Sequence, residues 1–197
     1  MLLRHGQTPM SVQKRYAGRS DPPLTEAGVQ QAAAAAKRLA SAGFGVIVTS
    51  PLLRTVQTAQ AVAAVTGAAV VTDDGFRETD FGAWEGLTFA EVRERWPAEL
   101  SAWLADPEIA PPGGESFTDV SVRVIAALDR VLAARAGQTV LVVSHVTPIK
   151  TLVAAALLAP PAALYRMHLD VAALCEIDWY ADGPAVLRSF NDTSHLS

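Results

Sequence analysis

The chain has 197 residues, half of them apolar and 18% charged, with a formal net charge of −4. That length and composition fit one globular domain with a real core. The negative balance argues against nucleic acid or an anionic membrane as partner of this domain, so an anionic ligand needs a local cluster of positive charge. The one cysteine, Cys175, allows no intrachain disulfide and argues against a Cys-based zinc site. Position 4 is already charged, no apolar leader core follows it, and no apolar run reaches the roughly 18 residues of a membrane span. A cytoplasmic location is the expectation.

Residues 1–4 read as a short buried strand, Met1-Leu2-Leu3 running into Arg4-His5. So short a strand suggests a domain cut from a longer protein, or a misplaced start. Residues 8–24 read as polar loop. Thr25 fits an N-cap, with Glu26 in the first turn of a helix reaching about Ala42. Strand 46–50 (VIVTS) follows, and Ser50-Pro51 then reads as a second helix start, with serine at the N-cap and proline at N1. Gly67 ends that helix, and 69–72 is another strand. The middle is different. Residues 73–117 hold Trp84, Trp96, Trp103, Phe76, Phe81, Phe89 and Phe117, with a short helix near 87–95 and a loop at 107–116. Val120, Val124, Ala127, Leu128 and Val131 have helical spacing and predict a helix from about Ser116 to Ala136. TVLVVS (139–144) is a strand, Thr147-Pro148 opens a helix to about Leu158, and 171–180 and 185–190 read as strands.

Apolar strands alternating with helices predict an α/β fold, a three-layer α/β/α sandwich around a mostly parallel sheet. Ligands of such sheets bind beyond the carboxyl ends of the strands. Arg4-His5, Ser50 through Arg54, and Ser144-His145 all fall there.

Those residue types suit phosphoryl transfer. A neutral imidazole can be the nucleophile near pH 7. Arginines hold phosphoryl oxygens with paired N–H bonds, and helix N-termini add backbone donors. A carboxylic acid can protonate the leaving oxygen. His5, Arg4, Arg54, His145 and Glu78 supply these types, and Gly6 would let the backbone pass close to a ligand. His168 and His195 carry no motif and read as structural or surface residues. Arg15 and Arg19 read as loop charges that could also widen an electropositive mouth.

LLRHGQT (2–8) resembles the signature of the histidine phosphatase superfamily, which includes the cofactor-dependent phosphoglycerate mutases. The likeness continues in order through GRSDPPLTEAG (18–28), TSPLLRTVQTA (49–59), RETDFGAWEGLTF (77–89), PPGGES (111–116) and VLVVSHVTPIK (140–150). The resemblance implies a phosphoglycerate mutase-like fold, one domain over 1–197, with a small aromatic-rich cap over about 79–117. It implies that His5 attacks phosphorus and that water cleaves the phosphohistidine. Arg4, Arg54 and His145 would hold the phosphoryl group, with Ser11 and the Val146 amide as further substrate contacts. Glu78 would be the acid and then the base, with Glu85 and Asp80 as near rivals. No metal and no cofactor are implied. The partner would be a small phosphorylated substrate, with monomer and homodimer both open and no membrane involved.

The short segment after Glu78 resembles the phosphatase branch, including α-ribazole phosphatase and broad-specificity acid phosphatases. ETDFGAWEGLTF, SHVTPIKTL and the terminal TSHL resemble the phosphatase domain that some bacteria fuse to a ribonuclease H domain. Gln7, Ser11 and Ala17 depart from the common pattern of Glu, Asn and a polar residue. A phosphoglycerate-type mutase and a non-catalytic phosphate-binding module are the alternatives. Trp84 and Phe117 are the aromatic residues expected nearest the leaving group.

Overall fold

A computed structural model describes residues 1–197. Its strands are β1 (Leu2–Arg4), β2 (Val46–Thr49), β3 (Ala69–Thr72), β4 (Leu141–Ser144), β5 (Leu174–Trp179) and β6 (Ala185–Asp192). Its α-helices are α1 (Pro9–Val12), α2 (Glu26–Leu39), α3 (Leu53–Thr66), α4 (Phe89–Arg95), α5 (Pro97–Ala105), α6 (Phe117–Ala134) and α7 (Val146–Ala156). The strands form one sheet in the order β3-β2-β4-β1-β5-β6. The first four pair in parallel, and β5 runs antiparallel to both β1 and β6.

Successive strand residues face opposite sides of the sheet, which makes three layers. Leu2, Val48 and Val142 pack against Val120, Val124 and Leu128 of α6 and Ile149 and Leu152 of α7. Leu3, Ile47, Leu141 and Val143 pack on the other face against Ala35, Ala36 and Leu39 of α2 and Ala59 and Val62 of α3. The predicted sandwich is therefore the observed one. A third cluster belongs to the middle segment: Phe81, Trp84, Val92, Leu100, Trp103 and Phe117.

Local chemistry sets the helix ends. The Thr25 hydroxyl accepts from the Gly28 amide at 3.0 Å and starts α2. Ser116 and Asp119 form a reciprocal capping box at the start of α6. Gly67 closes α3 in the left-handed region, with φ of 70°. Two helix starts differ from the prediction, and two helices are additions to it. The loop at 8–24 contains α1, because Thr8 and Ser11 cap each other around Pro9. Ser50 is no N-cap: α3 begins after Leu52, and the Ser50 hydroxyl, 3.4 Å from the Leu52 amide, makes its shorter bond to His145 at 2.8 Å. His145, not Thr147, precedes the first residue of α7. Helix α5, opened by Pro97 at N1, is an addition.

Register then builds the site. β1 pairs with β4 through Leu2↔Val142, Leu3↔Val143 and Arg4↔Ser144, so His5 and His145 leave the sheet side by side. β2 pairs with β4 through Thr49↔Val143, which brings Ser50 to the same edge. β1 sends its chain to α2 on one face and β4 sends its chain to α7 on the other, so the two histidines stand at a topological switch point.

Candidate active site

Arg4, His5, Arg54 and Glu78 line one cavity of about 320 Å³, and His145 packs behind them with its ring centroid 5.2 Å from that of His5. His5 Nδ1 lies 2.8 Å from the Gly6 carbonyl oxygen. A carbonyl only accepts, so in the neutral ring Nδ1 carries the proton and Nε2 keeps a free lone pair. Burial, and then the Arg4 and Arg54 charges, push the His5 imidazolium pKa well below its ordinary range. Gly6 does not face a ligand: a Cβ there would sit 2.5 Å from the Gly28 carbonyl oxygen, so the glycine lets β1 cross the start of α2.

His145 has the opposite tautomer. Arg54 Nε–H donates to His145 Nδ1 at 3.2 Å, so Nε2 carries the proton and donates to Ser50 Oγ at 2.8 Å. Burial, then Arg54, His5, Arg4 and Arg123, hold this ring neutral as well. The rest of the Arg54 fork donates to the carbonyls of Ser20, Ala17 and Gly18. Only one of its five N–H groups is left for a ligand. Arg4 is different. It donates to the Leu169 carbonyl, while its buried Nε has no partner. Burial pushes its pKa down to about 10. An unpartnered guanidinium donor in a buried cavity fits an anion.

Glu78 sits on the N-terminus of α7. Its carboxylate accepts from the Val146 amide at 3.0 Å and the Thr147 amide at 3.2 Å, as well as from the Thr79 amide. The Val146 amide is thus held by Glu78 in this state. The rivals are elsewhere: Glu85 anchors the Gly18, Arg19 and Ser20 amides, and Asp80 pairs with Arg19. Ser11 lines the cavity, but its hydroxyl donates to the Thr8 carbonyl. No cluster of three or more His, Cys, Asp and Glu side chains is placed to hold a metal.

The opposite wall is aromatic: Tyr16, Phe81, Trp103, Phe117 and Tyr165. Tyr165 donates to the Trp103 carbonyl and stacks edge-on to its ring at 5.9 Å, which fixes the wall. Phe117 lies where the sequence suggests, whereas Trp84 is fully buried behind the wall. Arg15 lines the cavity and Arg19 does not. His168 pairs with Asp170 on the surface, and His195 rests on the Ala172 carbonyl.

The model of the histidine phosphatase superfamily (branch 1) matches residues 1–193. The chain belongs to that superfamily. The protein named "Bifunctional protein Rv2228c" from Mycobacterium tuberculosis is 52% identical over 197 residues, covering 100% of this chain and 54% of that protein. The chain therefore spans about half the length of this relative and of two further mycobacterial ones that it matches. A Yersinia pestis protein named a probable phosphoglycerate mutase is 36% identical over 203 residues, covering 99% of this chain and 93% of that one. A mycobacterial glucosyl-3-phosphoglycerate phosphatase solved with VO3 superposes with a TM-score of 0.89 at 33% identity, covering 98% of each chain. The α-ribazole phosphatase of Shigella flexneri gives a TM-score of 0.87 at 29% identity over 97% of this chain and 95% of that one.

In this member of the histidine phosphatase superfamily, the sequence reading gives no site role to Thr8, Tyr16, Thr147, Lys150, Leu164 and Tyr165, which also line the cavity. Lys150 was the accessible one of these: it lies four positions after Val146, one helical turn along α7. Its ammonium donates to the Leu164 carbonyl at 3.3 Å, and burial lowers its pKa. No helix of the chain is long and apolar enough to cross a membrane.

Proposed function

We propose that the chain hydrolyses phosphate monoesters through a phosphohistidine on His5. The observation that carries this reading is one piece of geometry. The His5 proton is pinned on the Gly6 carbonyl, which leaves the Nε2 lone pair facing a cavity where Arg4 Nε lacks a partner. In the first step His5 Nε2 forms the P–N bond as the P–O bond to the leaving group breaks, and protonated Glu78 gives its proton to the departing oxygen. In the second step a water oxygen attacks phosphorus, the P–N bond returns its electrons to Nε2, and Glu78 takes a water proton. Arg4 and the one free N–H of Arg54 bind the phosphoryl oxygens. The Val146 and Thr147 amides are donors that a phosphoryl oxygen can share with Glu78. His145 holds Arg54 and packs against His5. No metal and no cofactor enter these steps.

The aromatic wall favours leaving groups with an apolar face, and the α-ribazole and glucosylphosphoglycerate names of the neighbours set the first substrate panel. The bifunctional name of the mycobacterial relative extends the proposal to a second activity on a longer chain, and the resemblance of the motifs to phosphatase domains fused to ribonuclease H supplies its type. The mutase relative supports a second reading, in which the phosphohistidine returns its group to a bound phosphoglycerate.

The test is phosphate release from p-nitrophenyl phosphate in EDTA, for the wild type and His5→Ala. Release that vanishes in His5→Ala supports the reading. Release that persists in the variant, or is absent from both folded proteins, overturns it. Conversion of 3-phosphoglycerate to its 2-isomer without net phosphate release would favour the mutase.

A further inference from the structure

We infer that Arg123, which lies outside the catalytic cavity, is the positioning residue that sets Glu78 for proton transfer, with Glu115 as its relay. The inference rests on the acid–base reading of Glu78 above. Arg123 sits on the second turn of α6 and has five N–H groups, all engaged. Two go to the Glu115 carboxylate, each at 2.9 Å. The other three go to the carbonyls of Gly75 at 3.0 Å, Arg77 at 2.7 Å and Glu78 at 2.9 Å.

Glu115 completes the bracket. Its Oε2 accepts from the Asp80 amide at 2.9 Å, and its own amide donates to the Asp80 carbonyl at 2.9 Å. The backbone is therefore held at residues 75, 77 and 78 on one side of the Glu78 side chain and at 80 on the other. Gly114 makes this approach possible, because a Cβ there would lie 2.3 Å from the Asp80 carbonyl oxygen. The segment carrying Glu78 has no β-ladder or α-helix to fix it; it runs between two short 3-10 turns. Without the bracket, the backbone between residues 77 and 80 would keep the Arg19–Asp80 pair and, at its flanks, the Ser144 and Glu85 contacts to residues 76 and 81, while the Glu78 side chain itself would be held only through its carboxylate.

Such a role has a signature that a general packing role lacks. A displaced acid matters for a leaving group that needs a proton and little for one that does not. An alkyl alcohol needs protonation, whereas p-nitrophenolate leaves largely unaided. Arg123→Gln is therefore expected to lower kcat for an alkyl phosphate such as glycerol 3-phosphate by roughly 10²-fold, within the usual worth of a general acid. It should lower kcat for p-nitrophenyl phosphate by less than about threefold and leave both KM values nearly unchanged, because the cavity lining is intact. Arg123→Lys should not rescue, since one ammonium cannot span four acceptor groups.

Glu115→Gln, isosteric and milder, keeps the test alive should Arg123→Gln fail to fold; it is expected to show the same selectivity at smaller size. Glu78→Gln is the control. If it shows no leaving-group selectivity, the reading of Glu78 itself falls. If Glu78→Gln is selective while Arg123→Gln and Glu115→Gln lower both substrates equally, or neither, the positioning role is overturned.

Discussion

His5 and His145 share one edge of the sheet and share an electrostatic problem. Each is buried without a carboxylate partner, and each faces arginine. Both are held neutral in the fold, whereas in the unfolded chain they titrate near about 6.5. As pH falls through that value, the unfolded state binds more protons than the folded one, so stability falls until the lower folded pKa is reached. Above about 6.5 both states are neutral and the term vanishes. Thermal melting between pH 7 and 5 should show a declining Tm, with a shallower slope in His5→Asn; parallel slopes would refute this account. The same shift keeps the nucleophile free in mild acid, so kcat/KM should show no acid limb near 6.5. Arg54 illustrates a different economy. It satisfies three loop carbonyls and one imidazole from a single buried fork. Arg54→Ala leaves those carbonyls unpaired, at about 1 kcal/mol or more each. A loss of at least about 3 kcal/mol is expected in urea denaturation, with little recovery in Arg54→Lys.

Elements of this fold were legible in the sequence where one local signal dominated. Continuous apolar runs gave β2 and β4, and a 3.6-residue period with Ser116 ahead of it gave α6. Gly67 gave the end of α3, and it offers a clean test. Its φ is 70°, and a Cβ there would meet nothing within 4 Å. Gly67→Ala therefore tests backbone strain alone, with an expected loss of about 1 kcal/mol by urea titration. A neutral result would mean that the turn relaxes freely. At Ser50 a distant partner displaces a local cue, whereas α1 and α5 open on local signals, Thr8 with Ser11 and Pro97, that the sequence reading leaves out. Ser50-Pro51 has the chemistry of a helix start, but the hydroxyl goes to an imidazole 95 residues away. Arg123 and Glu115 were illegible for the same reason, because the carbonyls that Arg123 serves lie 45 to 48 residues earlier. Motifs named Arg4, His5, Arg54, Glu78 and His145. They could not show that Arg54 is nearly saturated, that the Ser11 hydroxyl is spent on Thr8, or that Glu78 occupies the Val146 amide.

At the scale of the whole molecule, a chain of net charge −4 gathers Arg4, Arg15, Arg54 and Lys150 against the single carboxylate of Glu78 around one pocket, and burying part of that charge costs stability. Arg4 is the clearest case. It is desolvated, its pKa is pushed down to about 10, and its Nε is unpartnered. Desolvation outweighs the attraction of the Glu78 and Asp170 carboxylates, so burying this charge is destabilising on balance, and an apolar side chain of similar volume removes that cost. A phosphate ion that completes the site should reverse the balance through mass action, worth about 2.7 kcal/mol at a hundredfold excess over Kd. The wild type is therefore expected to melt higher as inorganic phosphate or vanadate is added at constant ionic strength. Arg4→Met should melt at least as high as the wild type in phosphate-free buffer, and its Tm should not respond to either anion. A variant that melts lower without phosphate would mean that the bond to the Leu169 carbonyl outweighs the burial of the charge. A variant that still responds to phosphate would mean that the anion is held by the remaining donors, Arg54 and the α7 amides, with Arg4 adding little.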